Sequence, residues 1–347
     1  MFGTQWRKRI ILWMIIAIGG FAGQMAFAQE ENHGLVKWLT FKEAQQEMKK
    51  QQKPLLIDIY TDWCGWCKHM MKTTYSDPNI ASYINTYFYP VQFNAETHDT
   101  IEYNGETYVN KSKEKKSPHD LAIKFLGQSL SYPSTIFVGN NYQFNLLSQG
   151  YLEVKKIEPL LLFTVEGAFR TSSYDDFSKH FNHTFTDTVF IKKNPKTYSF
   201  NEALALQKKH PKKIAVSIYT DFCNTCKVMN KTTFTDTALV NYLNKKYYLV
   251  EFNAQQDKSE IDFKGIKYAN NGAGGFPFHA LALALTRNNF VIPSIVFLDE
   301  NMEILDVVSF YQTPEWTNKV AHYFGDDKYK KLKWDEYLKT TTPPLSK

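Results

Sequence analysis

The chain alternates short apolar runs with longer segments of mixed polarity. Leu55–Tyr60 is a nearly continuous apolar run, which predicts a strand buried on both faces of a sheet. Further strands are predicted at residues 88–94, 134–138 and 146–150, with a hairpin around 104–105. Helices are predicted to begin at the first cysteine pair and at residues 78 and 118, and to cover residues 154–169 and 174–181. This order favours an α/β fold in which helices cover both faces of a central mixed sheet.

The chain also repeats itself with a period close to 160 residues. Residues 53–77 return as residues 212–236 at an offset of 159, and 13 of these 25 positions are identical. A period of this length far exceeds that of a solenoid, so each copy is predicted to be a whole domain. The predicted organisation is a leader at 1–28, a first domain at 29–183 and a second domain at 184–347.

The N-terminus has the layout of a secretory signal. A basic segment at 7–9 precedes the apolar stretch 10–18, and Ala26-Phe27-Ala28 offers a cleavage site with small residues. An uncleaved membrane anchor is the alternative, because residues 10–28 approach the roughly 20 that a spanning helix needs. Gln24 and three glycines in this segment make the anchor the weaker interpretation. We therefore expect cleavage and a periplasmic or secreted protein.

Composition excludes several classes of protein. Of the 347 residues, 43% are apolar and 22% are charged, which rules out a disordered, collagenous or coiled-coil chain. The net charge of +6 comes from 41 basic and 35 acidic side chains spread along the sequence, and this mild, even distribution argues against nucleic acid as a partner. Four cysteines are too few for a small fold held together by disulfides.

All four cysteines lie in two CxxC pairs, Cys64/Cys67 and Cys223/Cys226. Four thiolates could hold zinc, but paired zinc ligands usually lie about 15 to 20 residues apart, and here 155 residues separate the pairs. A structural disulfide is the second possibility, although so small a loop adds little stability. The third is thiol–disulfide exchange, because a CxxC that opens a helix after a strand places its first thiol where the helix dipole favours the thiolate. This context favours exchange, with no metal and no cofactor other than the redox-active disulfides.

These residues resemble thioredoxin-like proteins. Residues 57–68 (IDIYTDWCGWCK) are similar to the active-site segment of that family, and residues 132–138 (YPSTIFV) to its cis-proline loop and the following strand. Both elements occur in both copies. The resemblance therefore implies two tandem thioredoxin-like domains, each a central mixed sheet with helices on both faces. The WCGWCK form and the insert around Asn104 are most similar to secreted bacterial members of the family.

The resemblance also implies roles for individual residues of the first copy. Cys64 would be the nucleophile and Cys67 the resolving thiol. Asp58 would take or relay the proton of the resolving thiol, because burial in an apolar strand should raise its pKa toward a useful range. A local cap or an ion pair with lysine is the alternative role for Asp58. The peptide bond before Pro133 would be cis. Substrate binding is expected at Trp63, Trp66, Tyr132 and Pro133.

The second copy departs from this pattern. Cys223 and Cys226 keep the dithiol, and Ile292 and Pro293 are the expected substrate-binding pair. Ser217 stands where the first copy has Asp58, so the proton relay is missing. Three further replacements surround the cysteines, namely Trp63 by Phe222, Gly65 by Asn224 and Trp66 by Thr225. We expect the first copy to be the main active site and the second to be a slower relay or a docking domain.

The predicted function is disulfide exchange with extracytoplasmic proteins, as a thiol–disulfide oxidoreductase. The expected partners are protein thiols or disulfides outside the cytoplasm, together with a membrane or periplasmic electron donor. A non-catalytic module for protein binding or assembly, with structural dithiols, is the alternative, and the altered second pair supports it. His119 and His279 recur at equivalent positions, where each is predicted to bond the start of a helix.

Overall fold

The computed structural model describes residues 34–186, 194–272 and 277–341. The first copy below denotes residues 34–186 and the second copy residues 194–341. The predicted leader at 1–28 lies outside the described residues. In the three described ranges, none of the helices combines the length and the apolar character that a membrane crossing requires.

The first copy is built on a four-stranded mixed sheet. Its strands are β1 (Leu55–Tyr60), β2 (Tyr89–Asn94), β5 (Ser134–Val138) and β6 (Asn145–Gln149), and a separate hairpin joins β3 (Ile101–Tyr103) to β4 (Glu106–Tyr108). The order in the sheet is β2-β1-β5-β6. Strand β1 pairs in parallel with β2 and antiparallel with β5, which pairs antiparallel with β6. The predicted mixed sheet is thus confirmed, with the apolar run β1 at its centre.

Local sequence signals explain where the helices of the first copy begin and end. The helices are α1 (Phe41–Lys50), α2 (Gly65–Lys72), α3 (Pro78–Tyr87), α4 (Asp120–Leu126), α5 (Val154–Val165) and α6 (Tyr174–Thr186). The carboxylate of Asp77 caps α3, with Pro78 as the first helical residue, as the sequence predicts. The prediction that α5 continues to residue 169 is wrong. The helix stops at Val165 because Gly167 takes the left-handed conformation, with φ of 69°.

The second copy repeats this architecture around a five-stranded sheet. Its strands are β7 (Thr197–Tyr198), β8 (Lys213–Tyr219), β9 (Tyr247–Asn253), β12 (Ser294–Leu298) and β13 (Ile304–Ser309), with a hairpin of β10 (Ile261–Phe263) and β11 (Ile266–Tyr268). The order is β13-β12-β8-β9-β7. Its helices are α7 (Phe200–Lys209), α8 (Asn224–Lys231), α9 (Thr237–Lys246), α10 (Ala280–Leu285), α11 (Pro314–Gly325) and α12 (Trp334–Thr341). The extra strand β7 corresponds to a single bridge, Leu39 with Val91, in the first copy.

Helices cover both faces of the first sheet. Leu55, Ile57 and Ile59 of β1 pack in one buried cluster with residues of α1 and α4. Leu56, which points to the opposite face, packs in a second cluster with residues of α2, α3 and α5. Because alternate strand residues share a face, Asp58 points to the same side as Leu56, which is the side of helix α2. The sheet thereby turns Asp58 toward the layer that holds the first cysteine pair.

The two copies share a buried cluster. Phe163 of α5 and Phe177 of α6 pack in that cluster with Val228 and Met229 of α8, the helix that carries the second cysteine pair. At the same contact, a side chain at Gly167 would have its Cβ 2.8 Å from the ring of Phe310, so the copies approach closely there. Helix α6 extends three residues beyond the predicted domain boundary at 183/184. That boundary stays a prediction.

Candidate active site

The first cysteine pair opens helix α2. Cys64 is the N-cap residue, and its Sγ accepts a hydrogen bond from the backbone N–H of Cys67 at 3.1 Å. The two cysteines form a disulfide, with their Cα atoms 5.3 Å apart. Both are buried, yet the neighbouring Trp63 and Trp66 are 56% and 62% exposed. Once the disulfide is reduced, the positive end of the helix favours a thiolate at Cys64.

The two exposed tryptophans next to these cysteines each contact another aromatic ring. The Trp63 indole N–H donates to Oε1 of Glu96 at 2.9 Å, and its ring lies edge-on to Tyr132 with centroids 6.1 Å apart. Trp66 contacts Tyr151, with a distance of 5.6 Å between the ring centroids. The structure thus brings together Trp63 and Tyr132, two of the residues predicted to bind substrate, and places Trp66 in a separate aromatic group. Their roles in binding stay predictions.

Both predicted proline positions have the backbone that the resemblance implies. The Tyr132–Pro133 and Ile292–Pro293 peptide bonds are cis. Pro133 directly precedes β5, and its carbonyl accepts a hydrogen bond from the N–H of Gly150 at 2.8 Å. Both prolines are buried, whereas Tyr132 and Ile292 are half-buried. That these residues contact substrate stays a prediction.

Asp58 is a buried acid with an unusual environment. Its side chain is only 1% exposed, and burial raises its pKa from 3.8 to about 7, against the opposing effect of a hydrogen bond from Tyr75. The Tyr75 hydroxyl donates to Oδ1 at 3.2 Å. The other oxygen, Oδ2, has no hydrogen-bond partner among the described residues. The acid is therefore poised to gain and lose a proton near neutral pH.

Tyr75 extends this site into a small buried network that the sequence analysis missed. Its hydroxyl also lies 3.4 Å from Oγ1 of Thr135, the residue of β5 that pairs with Asp58 in the sheet. All three residues are buried. A signal was present in the repeat, because Tyr75 is one of the positions at which the copies differ and its counterpart is Phe234.

The second copy lacks all three members of the network. Ser217 replaces Asp58, Phe234 replaces Tyr75, and Ile295, which pairs with Ser217 in the sheet, replaces Thr135. Removing one partner alone would leave a buried polar group unsatisfied, at a cost of about 1 to 3 kcal/mol, whereas exchanging the partners together avoids that cost. All three replacements in the second copy are thus consistent with a site that has no buried acid at this position.

The second cysteine pair has the same backbone geometry as the first but different surroundings. Cys223 is the N-cap of α8, and its Sγ accepts from the N–H of Cys226 at 3.1 Å. The disulfide is formed, with Cα atoms 5.2 Å apart. Phe222 is 57% exposed, as its counterpart Trp63 is. Thr225, by contrast, is only 1% exposed where its counterpart Trp66 is open to solvent.

Glu166 of the first copy lies against the second cysteine pair. Its Oε2 accepts a hydrogen bond from the backbone N–H of Thr225 at 2.8 Å and another from the hydroxyl of the same residue. The same oxygen lies 4.0 Å from Sγ of Cys223. Burial raises the pKa of Glu166 above its ordinary value. Nothing in the sequence around Glu166 identified it, because it reaches Thr225 only through the contact between the copies.

The two equivalent histidines hold helix starts, as predicted. Nδ1 of His119 accepts from the N–H of Leu121 at 3.1 Å, and Nε2 lies 3.0 Å from the carbonyl oxygen of Asp99. His279 makes the matching contacts in the second copy, to Leu281 and Ser259. Within the described ranges, no group of three or more His, Cys, Asp or Glu side chains is placed to hold a metal ion.

Two family models match different parts of the chain. A model described as "Thioredox_DsbH: Protein of unknown function, DUF255" matches residues 22–143. A model described as "Thioredoxin-like domain" matches residues 200–325. Each match includes one cysteine pair. The first match begins within the predicted leader and continues into the first domain, and the second lies within the second domain.

Curated relatives match over a short segment. A thiol:disulfide interchange protein, DsbD, of Vibrio vulnificus strain YJ016 is 33% identical over 70 residues, which are 19% of this chain and 12% of the relative. The protein of the same description from strain CMCP6 is 32% identical over 62 residues, or 17% of this chain and 10% of the relative. The chain thus spans about a tenth of the length of these curated relatives. Among solved structures, a thioredoxin from Thermus thermophilus matches with 14% identity and a TM-score of 0.27, over 36% of this chain and 84% of that one.

The two family models agree with the architecture described above. Each copy has a mixed sheet between helices, a CxxC pair at the start of a helix and a cis-proline before an antiparallel strand. The chain therefore belongs to the thioredoxin-like family and contains two thioredoxin-like regions.

Proposed function

We propose that this protein is a thiol–disulfide oxidoreductase that acts on proteins outside the cytoplasm, with Cys64 and Cys67 as its main site. The observation that carries the proposal is the combination, in one site, of a disulfide at a helix N-terminus and a buried acid with a pKa of about 7. The similarity to thiol:disulfide interchange proteins supports the same activity. The apolar, exposed rim of Trp63 and Trp66 suits a polypeptide substrate.

Exchange at the first pair proceeds in two steps that conserve electrons and protons. In the reducing direction, the Cys64 thiolate attacks a substrate disulfide, which forms a mixed disulfide and releases one substrate thiolate that takes up a proton. Cys67 then gives up its proton and attacks Sγ of Cys64. This second attack closes the Cys64–Cys67 disulfide and releases the second substrate thiol. Two electrons pass from the cysteine pair to the substrate, and the oxidising direction reverses the same steps.

Asp58 is the residue proposed to hold the proton of Cys67. A carboxyl with a pKa of about 7 is present in both protonation states near neutral pH, so it can accept a proton in one direction and return it in the other. Its position on the sheet face turned toward α2 supports this role. The alternative of an ion pair with lysine gains no support, because its one hydrogen bond within the described structure comes from Tyr75.

The second pair is proposed to be a slower relay or a docking element. It keeps the disulfide and the helix N-terminus, but Ser217 supplies no buried acid and Thr225 is covered. The proposed partners are protein thiols or disulfides outside the cytoplasm, and a membrane or periplasmic electron donor that resets the first pair. This location rests on the signal expected at residues 1–28.

Trapping a mixed disulfide tests the proposal. In Cys67→Ser, the resolving thiol is lost, so Cys64 should remain joined to its partner. We expect adducts that disappear with reductant when this variant is incubated with extracytoplasmic proteins and separated on non-reducing gels. The matched control, Cys226→Ser, removes the equivalent thiol of the second copy, where we expect much less adduct. Cys64→Ser/Cys67→Ser should form none through the first copy.

A protein-binding module is the rival function, and the covered Thr225 favours it for the second copy. Under that interpretation, Cys67→Ser traps nothing and Cys64→Ser keeps full function in the cell. Adducts that form through Cys64 would exclude it for the first copy.

A further inference from the structure

We propose that Glu166 of the first copy controls the reactivity of the second dithiol, by placing a negative charge beside Cys223 while the copies are docked. The inference builds on the proposed exchange function, and it assigns Glu166 a role in the second site although the residue lies outside both cysteine motifs. Glu166 acts here as a positioning residue with an electrostatic effect, since the electrons move only between sulfur atoms.

The geometry places one carboxylate oxygen against both the helix start and the sulfur. Oε2 of Glu166 accepts the N–H of Thr225 at 2.8 Å and lies 4.0 Å from Sγ of Cys223. This N–H belongs to the first turn of α8. The carboxylate therefore partly neutralises the positive end of the helix dipole, which would otherwise stabilise the thiolate of Cys223. Glu166 directly follows α5 of the first copy, so its position beside Cys223 depends on the contact between the copies.

Groups from both copies act on the carboxylate of Glu166. Lys227, one turn along α8, favours the charged form of Glu166, and so do hydrogen bonds from Thr225 and from the backbone of Asn224. Burial opposes these effects and raises the pKa of Glu166. Tyr83 of α3 faces it from the first copy, and the negative charge of Glu166 helps to raise the pKa of that phenol. The two hydrogen bonds that Glu166 accepts from Thr225 favour its ionised form, because they stabilise the charged carboxylate.

Among the residues that the structure describes, the first site has no equivalent of this arrangement. Gly65 and Trp66, the residues between its cysteines, are exposed. Asp326, the counterpart of Glu166 in the second copy, pairs instead with Lys246 at 3.0 Å and with His322 at 3.1 Å. The charge beside the sulfur is therefore specific to the second dithiol. It is a second difference between the two sites, beside the replacement of the buried Asp58 by Ser217.

The chemical consequence follows from the charge of the reduced state. Reduction of the Cys223–Cys226 disulfide takes up two electrons and two protons, and exchange requires one thiol to lose its proton again. A neighbouring carboxylate opposes this loss of the proton, because like charges repel, and should therefore raise the pKa of the reduced Cys223. The docked second dithiol should accordingly react slowly, and loss of the charge should speed it up.

Glu166→Gln tests the effect with almost no change in shape, since its amide oxygen can still accept from Thr225. The parent for this test carries serine at Cys64, Cys67 and Cys226, so that Cys223 is the sole thiol. Its pKa is read from the rate of alkylation by iodoacetamide between pH 5 and pH 10. The matched control is Glu153→Gln, which removes an exposed carboxylate at the other end of α5.

We expect Glu166→Gln to lower the pKa of Cys223 by about one unit. Tenfold more thiolate, offset by its lower nucleophilicity, should raise the rate at pH 7 about three- to fourfold. Glu153→Gln should leave the pKa and the rate unchanged. Equal pKa values in Glu166→Gln and the parent would overturn the inference. If Glu166→Gln does not fold, as judged by circular dichroism, Glu166→Asp decides, because it withdraws the carboxylate and should move the pKa in the same direction by less.

A second parent variant distinguishes a failure of this inference from a failure of the proposed function. Cys64→Ser/Cys67→Ser retains the second disulfide, which dithiothreitol should reduce and oxidised dithiothreitol should restore. Failure of that cycle counts against exchange at the second pair, whereas a working cycle with an unchanged pKa of Cys223 counts against the role of Glu166 alone.

Discussion

Replacing Asp58 with asparagine removes a buried charge and preserves the volume of the side chain. Burial raises the pKa of Asp58 from 3.8 to about 7, and the side chain is 1% exposed. The folded protein therefore binds this proton more tightly than the unfolded chain. Below about pH 4 both states are protonated; between about 4 and 7 only the unfolded chain loses the proton; above 7 both are ionised. The free energy of unfolding should thus fall as the pH rises through this window.

The magnitude follows from the size of the shift. Three units at roughly 1.36 kcal/mol each give a loss of about 4 kcal/mol between pH 4 and pH 8 that is due to Asp58 alone. Asparagine has no such titration. The asparagine amide has donors that lack hydrogen-bond partners in this buried position. That lack costs about 1 to 3 kcal/mol of stability, and the cost is the same at every pH.

The assay is urea unfolding of the oxidised protein at intervals from pH 4 to pH 8. We expect the wild type to lose about 4 kcal/mol more across this range than Asp58→Asn does. Asp62→Asn is the matched control, because Asp62 is an exposed acid two residues after β1. It should follow the wild type. Parallel curves for wild type and Asp58→Asn would refute the argument, because they would mean that Asp58 titrates alike in both states.

Two further predictions concern the second copy and a helix start. Ser217→Asp buries a carboxylate at the position equivalent to Asp58, where the counterpart of Tyr75 is Phe234 and has no hydroxyl to donate, so we expect a loss of about 2 to 4 kcal/mol at pH 8 in urea unfolding. Adding Phe234→Tyr should restore about 1 kcal/mol, and a double variant no more stable than Ser217→Asp would contradict the equivalence of the two networks. His119→Ala removes the cap of α4 and the bond to the carbonyl of Asp99, so thermal unfolding should show a loss of about 1 to 2 kcal/mol. An unchanged Tm would contradict that role.

Much of the fold could be predicted because its signals are local or repeated. The apolar run of β1 and the Asp77-Pro78 start of α3 both lie where the sequence places them. The end of α5 was missed, because the apolar residues Ala168 and Phe169 continue the helical pattern beyond the break. Only the left-handed backbone of Gly167 ends the helix, and a glycine with that conformation resembles any other in the sequence.

The motifs of the candidate site could be predicted from the sequence, but its hydrogen-bond networks could not. Cys64 and Asp58 belong to one contiguous segment, so their relation is visible in the sequence. Thr135 comes from a distant strand, and only the antiparallel pairing of β1 with β5 brings it to Tyr75. Glu166 precedes Thr225 by 59 residues and belongs to the other copy, so no spacing rule connects them.

Gly167 links the close contact between the copies to the position of Glu166. It follows Glu166 directly, and even a methyl group there would meet the ring of Phe310 at 2.8 Å. Because the carboxylate and the tight contact are adjacent in the chain, a small separation of the copies would withdraw Glu166 from Cys223. If Glu166 acts as proposed, the reactivity of the reduced second pair would depend on how closely the copies are docked. On that proposal, a partner that separates the copies would alter the reactivity of Cys223 without contacting it.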